Sequence, residues 1–152
     1  MTLAVAIVVT ISSRILQNEY RRELGNVVLK QASNGDFSQV SLYLDSHGDP
    51  NQRDLWGVTI AYYAISYSDK LALQTLIDRG SKLRYHSWVC EDNLTNAICK
   101  GDHEIISMVL ATGEWDDLSK TEIEKYLLRA EQRRDSTDTL LKNYFGSRVA
   151  QK

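Results

Sequence analysis

The side chains of this 152-residue chain best suited to chemistry are three histidines, two cysteines and a run of carboxylates. A histidine near neutral pH moves protons or ligates a metal, and either job needs partners at a set spacing. His47, His86 and His103 are scattered through separate stretches, His47 near an expected helix end and His103 at a helix start. Cys90 and Cys99 lie nine residues apart, which fits no zinc or redox spacing. Cys99 reads as a small, part-buried apolar residue. Asp116, Asp117, Glu122 and Glu124 make a local acidic patch, read as solvated surface rather than a cation site. The chain has no glycine-rich phosphate loop, nucleophile elbow or His-Glu-x-x-His run. The expectation is a non-enzymatic protein with no catalytic residue, no metal site and no cofactor.

Recognition chemistry is better represented. Trp56, Trp88 and Trp115 each fall in a stretch that reads as a turn, and exposed indoles are typical anchors of protein interfaces. The alternative is that Trp56 and Trp88 fold over adjacent turns and fill local gaps.

The elements that would position these residues follow from composition and periodicity. With 43% hydrophobic and 25% charged residues, the chain can bury a core and is not disordered. Eighteen basic against twenty acidic side chains give a net charge of −2. That balance argues against a nucleic-acid partner, which needs a concentrated positive field. Past residue 20 the sequence aligns with itself at an offset of 33 residues. Asp36 falls on Asp69 and Asp102, Gly35 on Ser68 and Gly101, and Ala64 on Ala97 and Ala130. Val40 falls on Leu73 and Ile106, Leu44 on Ile77 and Leu110, and Gly80 on Gly113. Residues 36–46, 69–79 and 102–112 each open on an aspartate suited to capping a helix and continue with helical apolar spacing. Each stops near Gly48, Gly80 or Gly113, where glycine permits a left-handed terminator. Shorter helices are expected before them, over 27–34, 60–67 and 93–100. Such helix pairs cannot bury their apolar faces alone and must stack.

These residues carry a resemblance to the ankyrin-repeat family. Residues 31–51, QASNGDFSQVSLYLDSHGDPN, resemble an opening repeat. In 54–64, DLWGVTIAYYA, Asp54, Gly57, Thr59 and Ala64 match the family pattern, while Ile60, Ala61 and Tyr62 stand in for Pro, Leu and His. In the third unit Asp92-Asn93-Leu94-Thr95 occupies the tetrad position and Cys90 replaces the turn glycine. Residues 119–145 read as a degenerate fourth pair, with Ile123, Tyr126, Leu127 and Ala130 on one helix and Leu140, Leu141 and Tyr144 on the next. The resemblance covers residues 21–145, with 146–152 as a tail. It implies an all-α solenoid of stacked helix-turn-helix units. It also implies a partner surface formed by turn tips and the inner face of the first helices. That surface maps onto Leu55, Trp56, Val58, Ser66 and Tyr67, then onto Trp88, Val89, Glu91, Cys99 and Lys100, with Trp115 in the following turn.

Residues 1–20 stand apart. Leu3–Ile11 reads LAVAIVVTI without a charge, and Ile15 and Leu16 extend the run past Ser12, Ser13 and Arg14. An apolar helix is expected here, and two readings of it stay open. One is a membrane anchor through residues 3–16, with Arg14, Arg21 and Arg22 holding the repeats on the cytoplasmic side. The other is a helix docked as a cap on the repeats of a soluble cytoplasmic protein. A span needs roughly twenty apolar residues, more than this run supplies. The resemblance implies a module that binds a folded protein, such as an inhibitor or the immunity partner of a toxin or secreted enzyme. A structural or assembly subunit of a membrane complex is the alternative.

Overall fold

The computed structural model describes residues 2–85, 87 and 92–149, and side chains within 13–147 of that set. His86, Trp88, Val89, Cys90 and Glu91 lie outside the described residues. Among the described residues there are eight helices and no strand, so the fold is all-α. In chain order they are α1 (Thr2–Ala32), α2 (Val40–Asp45), α3 (Ile60–Ser66), α4 (Lys70–Asp78), α5 (Asn93–Lys100), α6 (His103–Ala111), α7 (Lys120–Glu131) and α8 (Thr137–Val149).

The helices start where a side chain takes over the orphaned backbone donors of the first turn. Thr59, Asp69 and Asp92 each accept one amide, from Tyr62, Ala72 and Thr95. Asp102 accepts two, from Glu104 and Ile105. Ser119 and Glu122 bond reciprocally in a full capping box. The expected cap at Asp36 is corrected. Its carboxylate binds the Ser38 amide in a turn, and α2 starts only at Val40, behind Gln39, whose side chain makes no cap bond.

Left-handed residues end the helices at a fixed interval. Gly35, Ser68, Gly101 and Arg134 follow one another every 33 residues, all with φ between 54° and 82°. His47, Gly80 and Gly113 form a second series with the same interval, at 63°, 82° and 74°. The terminator expected at Gly48 is therefore carried by His47. Gly48 is needed for space instead, because a Cβ there would sit 2.4 Å from the Tyr43 ring. That ring is held in place by its hydroxyl, which accepts from the Asp49 amide at 3.0 Å and donates to the Asp49 carbonyl at 3.2 Å.

Packing carries the same interval. Val28, Ala61 and Leu94 are buried in register, as are Val40, Leu73 and Ile106, and Ala64, Ala97 and Ala130. α1, α3, α5 and α7 make one row of neighbouring helices, each hairpin-paired with the helix that follows it. Bonds between successive pairs also recur at 34 residues. The Tyr67 hydroxyl donates to the Ser33 carbonyl, Asn96 to the Tyr62 carbonyl, Tyr144 to the Leu110 carbonyl, and Tyr126 to Asp92. Lys70 meets Glu104 at 2.5 Å, Arg79 pairs with Asp45, and His103 contacts Thr137 at 3.1 Å.

α1 departs from the pattern. It runs unbroken from Thr2 to Ala32, and the helix expected over 27–34 is its C-terminal end. Side chains from Ser13 to Tyr20 are exposed, including Ile15, Leu16 and Tyr20. Over that stretch α1 does not cover the core. No helix among the described residues is long and apolar enough to cross a membrane.

Burial, and then the Asp92 carboxylate 3.2 Å away, push the Tyr126 phenol up to about 12. An unfolded tyrosine titrates near 10, so the folded state favours the neutral phenol. Its stabilising contribution is present below pH 10 and is lost as pH rises through about 12. Alkaline unfolding followed by circular dichroism is therefore expected to flatten between those values in Tyr126→Phe.

Candidate functional site

The surface turn between α2 and α3 is densely hydrogen-bonded and displays apolar side chains. Asp54 Oδ1 accepts from the Trp56 and Val58 amides at 2.8 and 2.9 Å, and Oδ2 accepts from the Tyr63 hydroxyl at 2.9 Å. The Asp54 amide returns a bond to the Val58 carbonyl, and Arg53 and Thr59 form an isolated antiparallel bridge. Gly57 supplies the left-handed residue (φ 77°) that closes the turn. Tyr85, from the loop after α4, accepts the Thr59 amide at 2.8 Å and lies under the Arg53 guanidinium at 4.6 Å. The Gln52 amide bonds Asn26 of α1 at 3.2 Å. At the tip, Leu55 is 98% and Trp56 62% exposed.

Beside the tip, an open groove of about 520 Å³ separates the turn from α1. Asn26, Leu29, Lys30 and Ser33 form one wall, and Arg53 to Trp56 the other. Tyr63 closes it from α3.

Five of the residues expected on the partner surface, Cys99 among them, are exposed, one is half-buried and two are buried. Leu55 and Trp56 point outward, Tyr67 is exposed, and Lys100 is exposed at the end of α5. Tyr67 has a structural task too, because its hydroxyl holds the Ser33 carbonyl and its ring packs edge-on to Phe37. Ser66 is half-buried, donating to the Tyr62 carbonyl and accepting from Asn96. Val58 is corrected: it is 3% exposed, turned inward by the bonds that close the turn. Trp115 is corrected as well. It is fully buried in the core, with its indole N–H near the Tyr126 hydroxyl but in no well-aligned hydrogen bond. Trp88, Val89 and Glu91 fall outside the described residues. The α1 wall and Arg53 were not anticipated. The spacing of Asn26, Lys30 and Ser33 would have placed them on one helical face, but nothing in it shows that a turn lies opposite.

Among the described residues no three histidines, cysteines or carboxylates gather at a metal-binding distance. Cys99 is exposed, with the Arg129 guanidinium 3.7 Å from its sulfur. No protein-family model matches the chain, and no curated protein matches it.

Two outcomes follow from the contrast between the indoles. Trp115→Ala is expected to cost about 3–5 kcal/mol in urea unfolding, as for other buried tryptophans, and Trp56→Ala less than about 0.5 kcal/mol, as for surface positions. Asp54→Ala leaves two amides and a phenol without their acceptor and is expected to cost about 1–3 kcal/mol in the same measurement.

Proposed function

We propose that this chain is a non-enzymatic protein-binding module of the ankyrin-repeat type, gripping a folded protein through the 53–57 turn and the neighbouring inner helices. The solenoid reading is supported by left-handed terminators, buried positions and inter-pair bonds that recur every 33 or 34 residues. The binding reading rests on one observation above the others: Leu55 and Trp56 are held in water by a fully bonded turn. Exposing a leucine and an indole gives up burial worth about 1.5–3 kcal/mol for a side chain of that size, and nothing inside the protein gains from it. A partner that covers them recovers that energy, and little ordering entropy is lost because the turn is already set. A small rigid module of this kind suits an inhibitor or the immunity partner of a toxin or secreted enzyme.

A specific observation favours a second reading, an assembly subunit of a membrane complex. The uncharged Leu3–Ile11 run lies in a helix whose next stretch leaves Ile15, Leu16 and Tyr20 exposed. A short apolar helix is easier to accommodate beside other proteins than alone in lipid.

Affinity purification of the tagged chain from native extract in mild detergent separates the readings. The binding module predicts a stoichiometric partner that is lost in Leu55→Ala/Trp56→Ala while the thermal midpoint stays put. The subunit reading predicts a membrane complex that survives those changes and is lost when residues 3–11 are made polar. Retention of the partner by both variants sinks both readings.

A further inference from the structure

We infer that the groove between α1 and the 53–57 turn receives an extended acidic segment of the protein partner. Its apolar side chain would seat on Leu55 and Trp56 and its carboxylates on Lys30 and Arg53. This rests on the protein-binding reading above and assigns its partner a chemistry.

Lys70, Arg79, Arg84, Arg133 and Lys142 each meet a carboxylate of the chain. Lys30, on one wall of the groove, and Arg53, on the other, have no carboxylate partner among the described residues. Cations outside the groove, such as Lys82, Lys100, Lys125 and Arg134, also have no carboxylate partner among the described residues; the groove is set apart by two unpaired cations on its opposite walls. Arg53 is nonetheless held in place, over the Tyr85 ring. The one acid in the groove, Asp54, has both oxygens engaged by its own turn. The wall continues along α1: Arg22, Asn26, Lys30 and Ser33 follow at intervals of four, four and three residues, which puts them on one helical face. Arg22 is exposed and also has no carboxylate partner among the described residues. From Arg22 to Ser33 that face spans roughly 16 Å, the length of about five residues of extended chain. Apolar rim, paired cations and length together fit alternating acidic and apolar residues. They do not fit a basic segment, which would leave two cations facing like charge.

The test uses the full chain and two fluorescein-labelled synthetic hexapeptides, Glu-Leu-Asp-Phe-Asp-Leu and its counterpart with lysine at every acidic position. Anisotropy is expected to show saturable binding of the acidic peptide only. Lys30→Glu and Arg53→Glu should each weaken it about tenfold or more, and Trp56→Ala should weaken it without changing its salt dependence. In the double charge reversal, preference should switch to the lysine peptide. Lys30 is exposed and makes no side-chain hydrogen bond or ion pair among the described residues, so that variant stays decisive if Arg53→Glu unfolds; circular dichroism and the thermal midpoint report folding. The assignment fails if the acidic peptide does not bind, if both peptides bind alike, or if Lys30→Glu is without effect. It also fails if vesicles of phosphatidylcholine with phosphatidylserine bind in a Lys30-dependent way and the peptide does not. Should the natural partner still be lost in Leu55→Ala/Trp56→Ala after such a failure, the binding module stands and only the acidic assignment falls.

Discussion

Each helix pair in this protein is left with one apolar face open, and the molecule is organised by the need to close it with the next pair. α3 with α4 makes only a two-layer hairpin of seven and nine residues, too short to hold its shape by helix propensity. Ala61 and Ala64 reach zero exposure on α3, which lies between α1 and α5, and Leu73 on α4, which lies against α2 and α3. Register between pairs is then set by polar bonds rather than by packing alone. Tyr67 to Ser33, Asn96 to Tyr62 and Tyr144 to Leu110 all deliver a side-chain donor to a backbone carbonyl near the end of the preceding pair's helix. Two of those carbonyls already accept a bond within their own unit, Tyr62 from the Ser66 hydroxyl and Leu110 from the Gly113 amide, so the donor from the next pair is a second bond to the same oxygen. A slip of one residue between pairs would undo these bonds.

The loops between pairs obey the same economy. Asn51 accepts the Lys82 amide at 2.7 Å, and one helical step on Glu114 accepts the Leu83 and Arg84 amides. A carboxylate or amide from one turn completes the backbone of another, which ties the described turns of that edge together. Rigidity at the 53–57 turn is what gives Leu55 and Trp56 their meaning. An apolar tip on a loose loop would fold back onto the body. Here the Asp54 bonds fix the backbone on both sides of the tip, and Tyr85 fixes the turn from behind.

The helical pattern was legible because caps, apolar spacing and terminators agree in the second and third units. Residues 70–78, 93–100 and 103–111 fall within a residue of where Asp69, Asp92 and Asp102 place them. The first unit was misread because Asp36 satisfies a turn amide before a helix can use it, and because nothing between Ile11 and Val27 breaks the helix. Gly48 looked like a terminator for the right residue type and the wrong reason. The Tyr43 ring needs the space, and its neighbour His47 takes the left-handed backbone. The candidate site was half legible. Turn residues announce themselves locally, whereas the opposite wall, at Lys30 and Ser33, comes from a contact between distant parts of the chain.

Trp56 and Trp115 show why residue type alone could not decide the surface. Trp56 and Trp115 both lie in polar turns, yet one is 62% exposed and the other fully buried. The difference lies in what the next helix offers. After Trp115 comes α7, which brings Tyr126 against it, while Leu118 and Ile123 extend the same apolar seam. After Trp56 comes α3, whose apolar side chains Ile60, Ala61, Ala64 and Ile65 are already consumed by α1 and α5. An indole therefore enters the core at the end of the stack, where a face remains to be sealed, and stays outside in the middle, where none does. By that argument exposure at Trp56 is a consequence of its position in the row, and the bonds that stiffen its turn are the feature that packing does not require.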